Sequence, residues 1–297
     1  GYTGLSSALH LAKCGYKVVV LEAETVAFGA SGRNGGHVGI GQRADQADLE
    51  DKLGHERASV LWDMGLEAVD TVKSLIAEHN IDCDLKYGNL HRAHKKRLCG
   101  ELQEEVAFLA DRYNFTDMEY IPSERLGEVV GSKGFYGGIW DKASCHLHPL
   151  NYALGLVDAA VQAGVTIYEH SRVTTYGGSP LVVKTSGGQI TTSELILACN
   201  GYIENLEPKI NGYIMPINNF VLATEPLSDE LALSIIPKDT SMADSRFVIN
   251  YWKLSADNRL IFGGGENYRR GFPNDIKNFV RKYMLQIYPQ LANTKID

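Results

Sequence analysis

Gly1-Tyr2-Thr3-Gly4 at the start of the chain, an apolar stretch after it, and the run Lys17-Val18-Val19-Val20-Leu21-Glu22-Ala23 constrain the fold more than any other part of the sequence. Their order matches the second half of a dinucleotide-binding βαβ unit, with Gly1 and Gly4 in the places of the second and third glycines of G-x-G-x-x-G. The first glycine and its strand are not in the sequence, so the chain is expected to begin partway through that unit. Leu5, Ala8, Leu9, Leu11 and Ala12 share a helical face, and Gly15 stands where a C-terminal cap would end the helix. Val18 to Leu21 is short, β-branched and without polar alternation, as a parallel strand covered on both faces requires. Glu22 closes it at the point where an acidic side chain can hydrogen-bond a ribose hydroxyl. Taken singly, these features also read as a plain turn and a solvated strand end; together they favour a dinucleotide.

The segment Gly29-Ala30-Ser31-Gly32-Arg33-Asn34-Gly35-Gly36-His37 is too glycine-rich for a helix interior or an ordinary strand. It can instead bring backbone N–H groups and small side chains against a flat or anionic ligand. Helical periodicity follows over 48–80 and 98–113, with strands expected over 83–93 and 118–121, a short helix over 126–130 and a helix over 151–164. Short runs over 165–169, 173–176, 181–185 and 189–192 predict a small antiparallel layer. The apolar run 194–199, ending in Asn200-Gly201, predicts a buried strand returning to the first sheet. The last third predicts strands over 213–224, 247–254 and 259–263 and a closing helix over 275–288. The fold class expected is α/β, a Rossmann-like dinucleotide-binding domain (1–45 and 145–210) interleaved with an antiparallel-sheet substrate domain (46–144 and 211–297).

A formal charge of −7 gives no footing for a nucleic-acid or anionic-membrane partner and is compatible with a small neutral or cationic substrate. The cysteines Cys14, Cys83, Cys99, Cys145 and Cys199 are sparse and odd in number, which favours free thiols in a reducing, cytoplasmic compartment. Cys14 and Cys199 fall in apolar runs and are expected to be buried. No apolar run approaches the roughly 18 to 20 residues of a membrane span, so no integral membrane segment is expected.

The opening Gly1-Tyr2-Thr3-Gly4-Leu5-Ser6-Ser7-Ala8, the terminal Glu22 and above all Gly29 to Gly36 resemble the FAD-dependent D-amino acid oxidase superfamily of amine and amino-acid oxidoreductases. Within it, Ile81-Asp82-Cys83-Asp84, His146-Leu147-His148-Pro149-Leu150-Asn151 and Ser255 to Leu260 with Gly263-Gly264-Gly265 are most similar to the members that oxidise gamma-glutamylputrescine. The resemblance covers nearly the whole chain. It implies FAD as cofactor, with Gly1 and Gly4 at the pyrophosphate and Glu22 at the adenosine ribose. Ala30, Ser31, Arg33, Asn34, Gly35 and Gly36 would lie along the flavin side, Val173 at adenine, and Asn200 and Gly201 near the phosphates. It further implies hydride transfer from a small-molecule amine to flavin N5, with oxygen or another electron acceptor closing the cycle. The family's C-terminal glycine-rich segment lies beyond Asp297, so the chain is expected to be cut at both ends and to hold FAD weakly. Alternatives are a sarcosine or glycine oxidase, a D-amino acid dehydrogenase, a non-catalytic flavin-fold remnant, and a nicotinamide enzyme, which the Gly29 to Gly36 loop disfavours.

His37, next to the glycine loop, and Tyr251, on a strand toward the substrate layer, are the catalytic candidates; a structural histidine and core aromatic packing are the competing readings. Trp252 would point to the opposite face from Tyr251. His146 and His148 share a strand face by period two, but no third ligand has motif spacing, so no metal site is expected. The basic cluster from His91 to Arg97 reads as a solvated turn.

Overall fold

The computed structural model describes residues 1–268 and 271–297, and the chain divides into two compact units. The first takes residues 1–34, 75–83 and 149–217, the second 35–74, 84–148 and 218–297.

In the first unit, helix Tyr2–Lys13 buries Leu5, Ala8 and Leu9 and packs against helix Pro149–Gln162, which buries Tyr152, Ala153, Leu156, Ala159 and Ala160. Pro149 occupies the first turn, where its missing N–H costs nothing, and Gly164, at φ +93°, ends the turn after the helix. Gly155 lets the second helix close on Ile81, whose side chain would collide with any Cβ there. Val19–Leu21 pairs in parallel with Thr166–Tyr168, Val19 opposite Thr166. The run 165–169 thus belongs to this two-stranded sheet and not to the antiparallel layer. That layer is Val173–Gly177, Leu181–Thr185 and Gln189–Thr192, in sequence order.

The expected strand over 194–199 does not form: the segment has no ladder partner among the described residues, and Ile196 is 55% exposed. Apolar content alone does not make a strand, because its N–H and C=O groups need a paired neighbour. Cys14 is also corrected. It caps the end of helix Tyr2–Lys13 and is exposed, while Cys199 is half-buried.

The second unit is an eight-stranded mixed sheet in the order Asn218–Ala223, Leu260–Asn267, Tyr251–Leu254, Ser241–Asp244, Lys86–Arg92, Gly137–His146 and His37–Val38, with Met118–Pro122 also paired to Gly137–His146. Among the described residues of this sheet, only Ser241–Asp244 and Lys86–Arg92 run parallel. Leu90, Met242, Trp252, Leu254 and Phe262 form one buried core with helices Asp229–Ile235 and Ile276–Ile287. A smaller cluster of Ala93, Leu102 and Ile139 involves helix Leu98–Tyr113. The helical run 48–80 is two helices, Gln46–Leu53 and His55–Glu78, broken at Gly54 with φ +80°.

Arg92 is not part of a solvated turn. It is fully buried, its guanidinium 3.8 Å from the Trp252 ring and 4.2 Å from that of Phe135. The strand Gly137–His146 ends before His148, so His146 and His148 do not share a strand face. Among the described residues no helix is long and apolar enough to cross a membrane.

Candidate functional site

In the first unit, most of the expected cofactor residues converge at the start of helix Tyr2–Lys13. Gly1 is its N-cap and makes no side-chain cap bond, and the first turn carries no acid, so the positive end of the helix dipole is uncompensated from within. The Tyr2 N–H donates to Ser31 Oγ at 3.2 Å, and a Cβ on Gly1 would stand 2.6 Å from that oxygen. Gly4 faces Ala198, whose Cβ would be 3.3 Å from an added one, so the glycine sets the close approach of segment 194–199. The turn Asn200–Tyr202 continues that segment and lays the Tyr202 ring 3.1 Å from the Cβ position of Gly29; Asn200 sits at φ +51° and Gly201 faces open space. Glu22 accepts from the Glu24 N–H at 3.1 Å, and its charge adds to the burial that pushes the Cys199 thiol up. Ser171 N–H donates to the Glu22 carbonyl at 2.8 Å, which brings Val173, two residues on, to the same edge.

Asn34 acts as a staple of the glycine loop. Its amide nitrogen donates to the carbonyls of Ala30 at 2.9 Å and Ser31 at 3.0 Å and reaches the Tyr2 hydroxyl at 3.3 Å, while that hydroxyl donates to the Pro149 carbonyl at 3.0 Å. Ala30 lies in a single 3-10 turn, and Arg33 is exposed with its guanidinium 4.3 Å over the Phe28 ring. The donor-rich helix start, the hydroxyl, the carboxylate and the glycine approaches fit an anionic dinucleotide such as FAD.

Gly35, Gly36, His37 and Tyr251 belong to the second unit. Tyr251 pairs with Gly263 across the sheet, and its ring lies over that glycine and against Gly35, where a Cβ would stand 2.6 Å from Cε2. Its hydroxyl donates to Asn219 Oδ1 at 2.7 Å, and the ring meets His37 edge-on at 5.6 Å. The structure therefore brings the two catalytic candidates together between glycines. Gly36 takes φ +70° and its carbonyl accepts from the Leu147 N–H at 2.9 Å. Trp252 points the other way, into the core, stacked on Phe262 at 5.3 Å, with its indole N–H donating to the Tyr288 hydroxyl at 2.9 Å.

Burial, reinforced by His146, Lys253 and Arg92, holds His37 down to about 3, and burial pushes Tyr251 up to about 12. Near neutral pH one is a neutral imidazole and the other a protonated phenol. Neither pKa is matched to proton transfer at neutral pH, so the geometry suits a polar wall more than an acid–base pair. His146, buried with Nε2 at 3.0 Å from the Asp239 carbonyl, is likewise held down, to about 4, by burial and then Lys253.

Unfolded, these imidazoles protonate near pH 6.5; folded, they stay neutral, so the unfolded chain binds more protons below that point. Stability present above about pH 6.5 should fall on acidification through the folded values, by about 1.4 kcal/mol per pH unit for each histidine. Denaturant midpoints between about pH 6.5 and 5 measure this slope, and His37→Asn is expected to flatten it; an unchanged slope would refute the assignment.

Sequence reasoning missed Asn89, Glu105 and Asp141. Asn89 Nδ2 donates to Ser241 Oγ at 2.8 Å and lies 3.5 Å from His37 Nδ1. Glu105 carried a legible signal: it sits on the stripe of Leu102, Val106 and Leu109 that faces inward on helix Leu98–Tyr113.

A family model described as FAD dependent oxidoreductase matches residues 1–297. The chain is 38% identical over 299 residues to gamma-glutamylputrescine oxidoreductase of Escherichia coli (strain K12), covering 100% of this chain and 70% of that protein. It is 38% identical over 298 residues to a probable oxidoreductase OrdL of Rhizobium meliloti (strain 1021), covering 100% of this chain and 69% of that one. Among solved structures, L-proline dehydrogenase from P. horikoshii superposes with a TM-score of 0.72 at 19% identity over 99% of this chain and 76% of that one. Glycine oxidase from Geobacillus kaustophilus gives 0.72 at 17% identity over 98% and 77%. At those identities the structural likeness is one of fold.

Proposed function

This chain belongs to the FAD dependent oxidoreductase family, and on that premise we propose that it oxidises the C–N bond of an amine to an imine, with gamma-glutamylputrescine or a related amine as substrate. The observation that carries the cofactor half is the convergence of Gly1, Gly4, Ser31, Glu22 and the 198–201 segment on the start of helix Tyr2–Lys13. The first unit is the FAD-binding domain in this reading, and the second is the substrate domain. With FAD bound, the chemistry supplied is acceptance at flavin N5 of a hydride from the carbon next to nitrogen, leaving an imine that water hydrolyses to an aldehyde and ammonia.

The chain's own residues bind and position. The backbone of Gly1 and Gly4 would hold the pyrophosphate, Glu22 the adenosine ribose and Val173 the adenine, with Ala30, Ser31 and Arg33 along the flavin side. Asn34 would keep the loop from Ala30 to Arg33 in shape, with Asn200 and Gly201 contributing backbone near the phosphates and Gly35 and Gly36 toward the flavin. Tyr251 and His37 would wall the reacting centre as neutral groups. Identity of 38% to gamma-glutamylputrescine oxidoreductase over the full chain supports the amine.

Glu22→Ala tests the ribose assignment. Loss of one charge-assisted hydrogen bond, about 1.5 to 3 kcal/mol, should weaken FAD binding roughly tenfold or more. Titrating wild type and variant with FAD while following quenching of flavin fluorescence reads the ratio; equal affinities would remove Glu22 from the site.

A further inference from the structure

A cavity of about 160 Å³ lies wholly within the second unit. Its polar lining comes from Asn89 and His91 on strand Lys86–Arg92, Glu105 on helix Leu98–Tyr113, and Asp141 and Ser144 on strand Gly137–His146. Among the described residues no lysine or arginine lines it.

These groups differ in how far their bonding is already committed. Asp141 accepts from the N–H groups of Ala143 and Ser144 and from the Ser144 hydroxyl, and Asn89 donates to Ser241. Among the described residues nothing hydrogen-bonds or ion-pairs with the Glu105 carboxylate, and the charge that acts on it is a second carboxylate, Asp45. Burial and that repulsion push Glu105 up to about 7. Burial holds His91 down, so a neutral ring nitrogen there can accept a hydrogen bond. Acceptors therefore outnumber committed donors around a carboxylate that has none. What such a wall lacks is a cation carrying N–H donors.

We infer that this cavity receives the protonated amino group of an alkylamine that carries no carboxylate beside that amine, with Glu105 as the residue that binds it. The inference rests on the amine-oxidising reading above and narrows its substrate class. An α-amino acid would bring its carboxylate toward Glu105 and Asp141 with no lining cation to receive it, a repulsion that discriminates against it. The volume is about five times the roughly 30 Å³ share of a liquid water, enough for an alkylammonium of about five heavy atoms. Ile40, Met118 and Ile139 supply apolar wall for its methylenes.

The titratable groups facing Glu105 are His91 from strand Lys86–Arg92, Asp141 from strand Gly137–His146 and Asp45 at the start of helix Gln46–Leu53. Strand Met118–Pro122 contributes Met118 to the lining, and on Glu105's own helix Glu101 pairs with Arg97 and Arg112 with Glu50. A simple alkylammonium keeps its charge up to about pH 10. Binding should therefore strengthen as pH rises through about 7, where Glu105 ionises.

The test is calorimetric titration of the intact, FAD-loaded protein with butylammonium chloride, and with glycine as the amino-acid probe, below and above that pH. Wild type should bind butylammonium more tightly than glycine and more tightly at the higher pH. Glu105→Gln should weaken butylammonium binding about tenfold or more, the worth of one charge-assisted hydrogen bond, and should abolish the pH step. Asp45→Asn, which removes the neighbouring charge without lining the cavity, should move the step to lower pH. Equal binding by wild type and Glu105→Gln, a missing pH step, or tighter binding of glycine overturns the inference. Flavin reduction by amines in the same preparations separates the two ideas. Reduction that is indifferent to Glu105→Gln leaves the amine-oxidase reading standing without this site, whereas Glu105-dependent binding with no reduction by any amine leaves the cation site and removes that reading.

Discussion

Trp252→Ala is expected to cost about 3 to 5 kcal/mol, the range for truncating a large buried aromatic, and to leave little soluble folded protein. Trp252 is fully buried on strand Tyr251–Leu254, stacked on Phe262, and hydrogen-bonded through its indole N–H to Tyr288. It is also one of two ring faces against the buried Arg92 guanidinium, whose Nη1 and Nη2 find no hydrogen-bond partner among the described residues. Removing the indole opens a cavity and strips a buried cation of a contact worth about 2 kcal/mol when desolvated. Against a total stability of about 5 to 15 kcal/mol, the sum is large. Trp252→Phe keeps a ring over Arg92 and loses the indole N–H, so it should cost about 1 kcal/mol from the hydrogen bond plus the smaller ring's lost packing. Denaturant unfolding of the three proteins is the measurement. A Trp252→Ala protein within about 1 kcal/mol of wild type would show that Arg92 and Phe262 do not depend on it. The consequence for function is positional, because Tyr251 precedes Trp252 and projects from the opposite face toward His37.

Gly32→Ala is the second large effect, and it falls on the glycine loop. A Cβ at this position would stand well inside 3.0 Å of the Ala27 carbonyl oxygen, a backbone atom that cannot rotate away, and 3.3 Å from Leu150 Cδ1. The turn Ala30–Gly32 would have to open, disturbing the Asn34 bonds to Ala30 and Ser31 and the Ser31 contact with the Tyr2 N–H. Overpacking of this kind costs about 1 to 3 kcal/mol. Because the displaced groups are those assigned to FAD, retention of flavin through gel filtration should fall with it. A variant that keeps wild-type stability and flavin would mean the loop is not held where the structure has it.

What could be read in the sequence was whatever leaves a local signature. The glycine spacing around Gly1, Gly4 and Gly29 to Gly36, the β-branched run before Glu22 and the stripe of helix Tyr2–Lys13 all impose a backbone geometry that few other residues allow. His37 and Tyr251, chosen separately, prove to be neighbours across a glycine. The central strand Gly137–His146 was hidden, because Asp141, Lys142 and Ser144 break the apolar alternation while three neighbouring strands supply the ladder. The reverse error occurred at 194–199, where an apolar run has no partner to pair with. Arg92 looks solvated in the sequence because the two rings it packs against, Phe135 and Trp252, are distant from it along the chain. Glu105 shows the converse: an acid on an apolar stripe is visible in the sequence, but the cavity that gives it meaning is not.

The most direct test of the central claim is anaerobic mixing of the purified, flavin-loaded protein with gamma-glutamylputrescine while the visible flavin band is recorded. The account predicts that the band of the protein-bound flavin bleaches, with aldehyde formed in step. Protein that takes up no FAD, or a flavin band that no amine bleaches, would contradict it.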